Sequence, residues 1–159
     1  EDKTRLRPPG SVDWDDIRAL RRQWTRPLLI KGLLHPADAV KAAEYGIDGI
    51  VVSNHGARVL DGGLAPLEAL PAIVDAVGDR LTVLMDGGIR RGVDIAKALA
   101  SGAKAVLVGR SLLYGLAADG PLGATRALVL LRDEFDRVMA QLGCRTIEEI
   151  DSALLYREP

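Results

Sequence analysis

Four short apolar runs, at residues 27–31, 48–53, 81–86 and 104–109, alternate with helix-like segments, and that alternation restricts the chain to an α/β architecture. Each run is rich in Val, Ile or Leu, and none alternates cleanly with polar residues. This is the pattern of strands buried on both faces of a parallel sheet. Between them, 36–45 and 66–77 each open with Pro, a good first helical residue, and stop before Gly46 and Gly78. Residues 92–100 form the next helix, ending before Gly102. A longer helix is expected over 121–142, where Leu128, Leu131, Phe135, Val138 and Leu142 step by three and four into one apolar face, and Gly143 suits the C-cap. Residues 12–24 read as a helix feeding the first strand, and 146–155 as a last amphipathic segment. The charged, Pro- and Gly-rich stretch 1–10 reads as a loop or linker.

Repeated βα units imply a parallel sheet with right-handed crossovers, as in an open doubly wound sheet or a (β/α)8 barrel. Four units cannot close an eight-stranded barrel, which takes about 250 residues. If the 159 residues are barrel material, they are the second half of one. With 48% apolar and 27% charged residues the chain reads as one globular domain, and a net charge of −1 argues against a nucleic-acid partner. The single cysteine, Cys144, excludes an internal disulfide and a Cys-rich zinc site. No apolar run approaches the roughly 20 residues of a membrane span. Neither 1–5 nor 157–159 reads as a secretory leader or as a peroxisomal or ER address.

The reactive residues collect at the C-terminal ends of the four runs. Lys31-Gly32 follows the first and Ser53-Asn54-His55-Gly56-Ala57-Arg58 the second. Asp86-Gly87-Gly88-Ile89-Arg90-Arg91 follows the third, and Gly109-Arg110 the fourth. In barrels and open α/β sheets alike, ligands bind at this edge. Imidazole as a side-chain type can take a proton at working pH, which makes His55 a candidate base. The planar fork of Arg58 matches a carboxylate with two parallel hydrogen bonds. Lys31 brings a cation to the same edge. The glycines at 87 and 88 allow the backbone to approach a ligand with N–H groups turned toward phosphate oxygens.

Together, in order and at strand ends, these elements resemble the FMN-dependent 2-hydroxy-acid oxidase/dehydrogenase family, over about residues 11–154. The Ser-Asn-His-Gly-x-Arg hexapeptide is specific, whereas Gly-Gly and Gly-Arg alone occur in many phosphate-binding barrels. The run is most similar to the mandelate dehydrogenase and hydroxymandelate oxidase branch. The resemblance implies the C-terminal half, strands 5–8, of a (β/α)8 TIM barrel, with 1–10 as the tail of mobile loop 4 and 11–159 as the half-barrel. It implies oxidation of an (S)-2-hydroxy acid to the 2-keto acid with FMN as cofactor and no metal. His55 is then the base, Arg58 the substrate-carboxylate clamp and Lys31 the cation at the flavin N1/O2 edge. Ser53 contacts the flavin, Asp86 the ribityl hydroxyls, and Arg90 and Arg110 the phosphate with Gly87, Gly88 and Gly109.

The implied partners are a small 2-hydroxy-acid substrate, the N-terminal half of the barrel (in the same gene product or a second chain) and further copies in a homo-oligomer, a tetramer in the family. The implied location is the cytoplasm, with peripheral inner-membrane attachment through loop 4 in some mandelate dehydrogenases. Two departures stand out. Ala57 occupies a position where many members carry Gly, as it does in lactate oxidases. The family's substrate-binding tyrosine and base-orienting aspartate belong to the first four strands. Another phosphate-binding barrel, such as an IMP-dehydrogenase-like enzyme or an FMN-dependent isomerase, stays open as an alternative, as does a non-catalytic half-barrel binding module. His35 reads as a helix-entry residue, Arg91 as a solvated neighbour, Cys144 as a helix-end core residue, and Trp14 and Trp24 as packing residues.

Overall fold

The computed structural model describes residues 11–156; the expected loop-4 tail at 1–10 lies outside them. Helix α1 (Trp14–Gln23) leads into strand β1 (Leu29–Leu33), followed by α2 (Pro36–Glu44), β2 (Gly49–Val52), α3 (Pro66–Val77), β3 (Thr82–Asp86), α4 (Gly92–Ala100), β4 (Ala105–Leu107) and α5 (Arg110–Leu142). The four strands form one parallel sheet in the order β1-β2-β3-β4. A doubly wound sheet reverses its strand order partway across. This one does not, so it is an arc of the kind that closes into a barrel.

Local chemistry accounts for the element starts. The Asp13 carboxylate accepts the backbone N–H groups of Asp15 and Asp16 at 3.0 Å, opening α1 with a capping box. His35 caps α2, its Nδ1 accepting from Ala37 N–H at 3.2 Å, which is the helix-entry role read from the sequence. On the sheet face turned to the helices, Ile50 pairs with Val83 and Val52 with Met85, and all four are buried with Leu70, Ile73 and Val77 of α3. Close-packed side chains of this kind, each worth about 1.5–3 kcal/mol of transfer free energy, hold helices to sheet.

Burial on both faces holds only for β2. In β1, β3 and β4 the other face is more open, leaving Leu29 41% and Leu107 40% exposed. Side chains in register on that face are Lys31, Val51, Leu84 and Ala105. In a closed barrel this is the interior layer.

The last helix also differs from its expected form. It begins at Arg110 rather than 121 and breaks at Asp119 (φ −151°) and Gly120 (φ +53°), so that two helical arms meet at a bend before Pro121. A Cβ on Gly115 or Gly123 would overlap the other's main chain, so the arms touch backbone to backbone. The long arm buries Leu131, and it buries Phe135 in a second cluster with Ala96, Leu99 and Ile150, while Leu128 (54%) and Leu142 (40%) of the expected apolar face are exposed. The segment 146–155 holds two short 3-10 turns, Ile147–Glu149 and Ser152–Leu154. Trp14 packs against the core and edge-on to Tyr45, whereas Trp24 is exposed. Cys144 is half-buried beyond the helix end, its thiol directed at the Glu149 carbonyl at 3.7 Å.

Candidate active site

The strand ends bring the sequence-selected residues together. Lys31, His55, Arg58, Asp86, Gly87, Gly88, Arg90, Gly109 and Arg110 all line one open cleft of about 370 Å³ at the C-terminal edge of the sheet. Ser53 lies beneath it, fully buried. Larger hollows exist, including one of about 810 Å³ at the opposite end of the strands, but none gathers this chemistry.

The centre of the cleft is a three-residue polar cluster. Lys31 Nζ stands 2.7 Å from Asp86 Oδ2 and donates to Ser53 Oγ at 3.0 Å. The register explains the meeting, because Lys31 sits in β1, Asp86 ends β3, and Ser53 directly follows the β2 strand between them. Ser53 Oγ also accepts the backbone N–H of His55 at 3.1 Å, tying the cluster to the next loop. The ammonium therefore already has a carboxylate and a hydroxyl as partners. Asp86 Oδ1, by contrast, is a buried acceptor with no partner among the described residues. Such an atom carries a desolvation cost of about 1–3 kcal/mol unless a ligand donates to it.

The loop after β2 is a left-handed turn. His55 (φ +55°), Gly56 (φ +68°) and Ala57 (φ +58°) all adopt positive φ, which for the two non-glycine residues is a rare and strained state. Asn54 Oδ1 accepts Gly56 N–H at 3.0 Å, and Arg110 Nη2 donates to the Gly56 carbonyl at 3.2 Å. The turn thereby presents His55 and Arg58 to the same cleft.

The loop after β3 is held from three sides. Asp94 Oδ2 accepts the N–H groups of Arg90 at 2.9 Å and Arg91 at 2.8 Å. Ser111 Oγ donates to the Ile89 carbonyl at 2.9 Å. Arg91 Nε bonds both oxygens of Glu134, at 3.0 and 2.9 Å, and Gly92 N–H reaches Glu134 Oε2 at 3.0 Å. Arg91 is therefore a structural clamp and not merely a solvated neighbour. Its hydrogen bond holds the Glu134 carboxyl below the usual carboxylate range, and Glu134 in turn raises the Arg91 guanidinium. The Arg90 guanidinium stays in the cleft, 5.8 Å from the Tyr114 ring centre.

These observations test the fit of a phosphorylated, hydroxyl-bearing cofactor. The first helical arm of α5 starts at Arg110 with no side-chain cap, leaving free N–H groups beside two arginines, a ready anion site. Nothing lies within 4 Å of where a Cβ would stand on Gly88 or Gly109, so backbone is open to a ligand there. The orphaned Asp86 Oδ1 matches a ligand hydroxyl. The residues fit FMN.

Asn54 stood in the hexapeptide without an assigned role, and Asp94, Ser111, Tyr114 and Glu134 escaped the sequence reading. Asp94 alone left a local trace, as an acid in the first turn of a helix.

A family profile described as FMN-dependent dehydrogenase matches residues 4–157. An L-lactate dehydrogenase of Caulobacter sp. (strain K31) is 52% identical over 147 residues, covering 92% of this chain and 39% of that protein. The 2-hydroxyacid oxidase 1 of Mus musculus is 48% identical over 149 residues, 94% of this chain and 40% of its own length. Among solved structures, monotopic (S)-mandelate dehydrogenase superposes with a TM-score of 0.89 at 46% identity, covering 92% of this chain and 39% of that one. The chain thus spans about two fifths of the relatives it matches. Strand order, cleft and similarity agree: the chain belongs to the FMN-dependent dehydrogenase family.

Proposed function

We propose that this chain carries half of the active site of an FMN-dependent enzyme oxidising an (S)-2-hydroxy acid to the 2-keto acid. The observation that carries the reading is the convergence of His55, Arg58, Lys31 and Asp86 on one cleft, beside Arg90 and the uncapped start of α5. FMN, when bound, supplies the two-electron acceptor. Arg90, Arg110 and the backbone at Gly87, Gly88 and Gly109 would hold its phosphate, Asp86 its ribityl hydroxyls, and Lys31 with Ser53 its ring.

The oxidation removes two electrons and two protons from the substrate, one proton from C2 and one from the hydroxyl. The His55 imidazole takes one of them as general base, and the other passes with the electron pair to the acceptor. Arg58, in the same turn, holds the substrate carboxylate through its planar fork. Lys31 offsets negative charge developing beside it, and its bonds to Asp86 and Ser53 fix the ammonium in advance, so little reorganisation is needed.

The barrel is completed by four further βα units, the described residues belonging to its C-terminal half. Two features support this. β1 and β4 stand at the two ends of the described sheet, and a groove of about 500 Å³ lined by Trp14, Ile17, Leu28 and Ile30 runs between α1 and β1. The two-fifths coverage of the relatives leaves room for such a half. The protein works in the cytoplasm or at the inner face of a membrane, as a homo-oligomer; exposed Leu113, Leu116 and Leu122 on α5 support an apolar contact between copies. Among the described residues, no helix is long and apolar enough to cross a membrane.

Anaerobic addition of lactate, glycolate or (S)-mandelate to the flavin-loaded, completed protein tests the reading. Bleaching of the oxidised flavin band by at least one of them is expected. Bound flavin untouched by all three would contradict it.

A further inference from the structure

We propose that Gly32 is a positioning residue for His55, an inference that rests on the base role given to His55 above. Gly32 has φ +110°, which L side chains rarely adopt, and it marks the step in β1–β2 register between Lys31 and Leu33. A Cβ built there would stand 2.6 Å from His55 Cε1, 3.4 Å from Nδ1 and 3.7 Å from Nε2. The imidazole edge therefore occupies the volume that a side chain at 32 would fill, and it rests against bare main chain.

The other end of His55 is already fixed. Its N–H is bonded to Ser53 Oγ at 3.1 Å, and its turn is held by Arg110 through the Gly56 carbonyl at 3.2 Å. Those contacts set the direction of the Cα–Cβ bond and leave the ring two torsions to swing. Gly32 supplies the surface on which the ring comes to rest, next to Lys31 at the cleft. Any side chain at 32 forces the ring off that surface, and a displacement of about 1 Å at a reacting group costs on the order of 10²-fold in rate.

The two demands on residue 32 are separable. Backbone strain at φ +110° is independent of residue 55, whereas the overlap vanishes when the imidazole is removed. The test uses the flavin-loaded, completed protein with Gly32→Ala, His55→Ala and the double variant. Stopped-flow flavin reduction by substrate and Tm are measured for each. Gly32→Ala is expected to slow reduction about 10²-fold with flavin still bound, and to lower Tm less in the His55→Ala background than in the wild type. Equal Tm losses in both backgrounds, or wild-type reduction by Gly32→Ala, would overturn the inference. If Gly32→Ala alone does not fold, a folded double variant upholds the inference and an equally unfolded one overturns it. Wild-type reduction by His55→Ala would overturn the base role itself, and with it the catalytic part of this inference.

Discussion

Arg91 and Glu134, forty-three residues apart, form a two-oxygen ion pair that locks the loop after β3 to the long arm of α5. Of two adjacent arginines, one is thereby committed to structure and the other is left in the cleft. The consequence is a division of labour. Arg90→Ala should weaken FMN binding by about 10- to 100-fold, the loss of a charge-assisted contact worth about 1.5–3 kcal/mol. Arg91→Ala should leave FMN affinity within a few-fold and lower Tm instead. Fluorescence titration and thermal melts distinguish the two; the reversed pattern would assign the phosphate to Arg91.

The same pair predicts an acid sensitivity. Arg91 holds the Glu134 carboxyl below its ordinary value of 4.5, and the Gly92 N–H adds to the effect. A carboxyl lowered in the folded state stabilises the fold at pH above its unfolded value, and that stabilisation fades as pH falls through the folded value. Asp48 behaves alike, lowered from 3.8 by the Leu28 N–H and then by Arg21. Urea midpoints should therefore fall as pH drops below about 4.5, and Glu134→Gln should flatten that fall. Parallel curves for the two proteins would show that the pair contributes nothing.

Ala57 holds a left-handed conformation, φ +58°, that costs a side chain about 1–2 kcal/mol relative to glycine. Ala57→Gly relieves this, and the greater freedom of the unfolded chain offsets about 0.4–1 kcal/mol of the gain. Tm should stay level or rise by a few degrees. A clear drop would mean that the Ala57 methyl makes a packing contact outweighing the strain.

Arg58→Lys keeps the charge but removes the planar fork. It should lower kcat/KM for the hydroxy acid by at least 10-fold, since the bidentate pairing proposed for Arg58 is lost. An unchanged kcat/KM in steady-state assays would remove Arg58 from the carboxylate.

The sequence announced the strand ends because their chemistry is local. Glycines and polar residues cluster immediately after each apolar run, and the parallel register then carries Lys31, Ser53 and Asp86 to one place. What it hid depends on contacts across long separations. The helical arm that begins at Arg110 lies outside the helix expected over 121–142; within it Gly115 serves close approach to Gly123, and Gly120 lies at the bend. Glu134 looks like any exposed-face acid until α5 folds back onto the start of α4. Periodicity defined an apolar face on α5 but not how far its neighbours reach along it, which is why Leu131 and Phe135 are buried and Leu128 is exposed.

The central claim is that His55 is the base that takes a proton from a 2-hydroxy acid. Its most direct test is anaerobic stopped-flow reduction of the flavin-loaded His55→Asn protein, because positioned base catalysis is worth ~10²–10⁴-fold. The account predicts flavin bound as in the wild type and reduced at least 10²-fold more slowly. Reduction at the wild-type rate would contradict it.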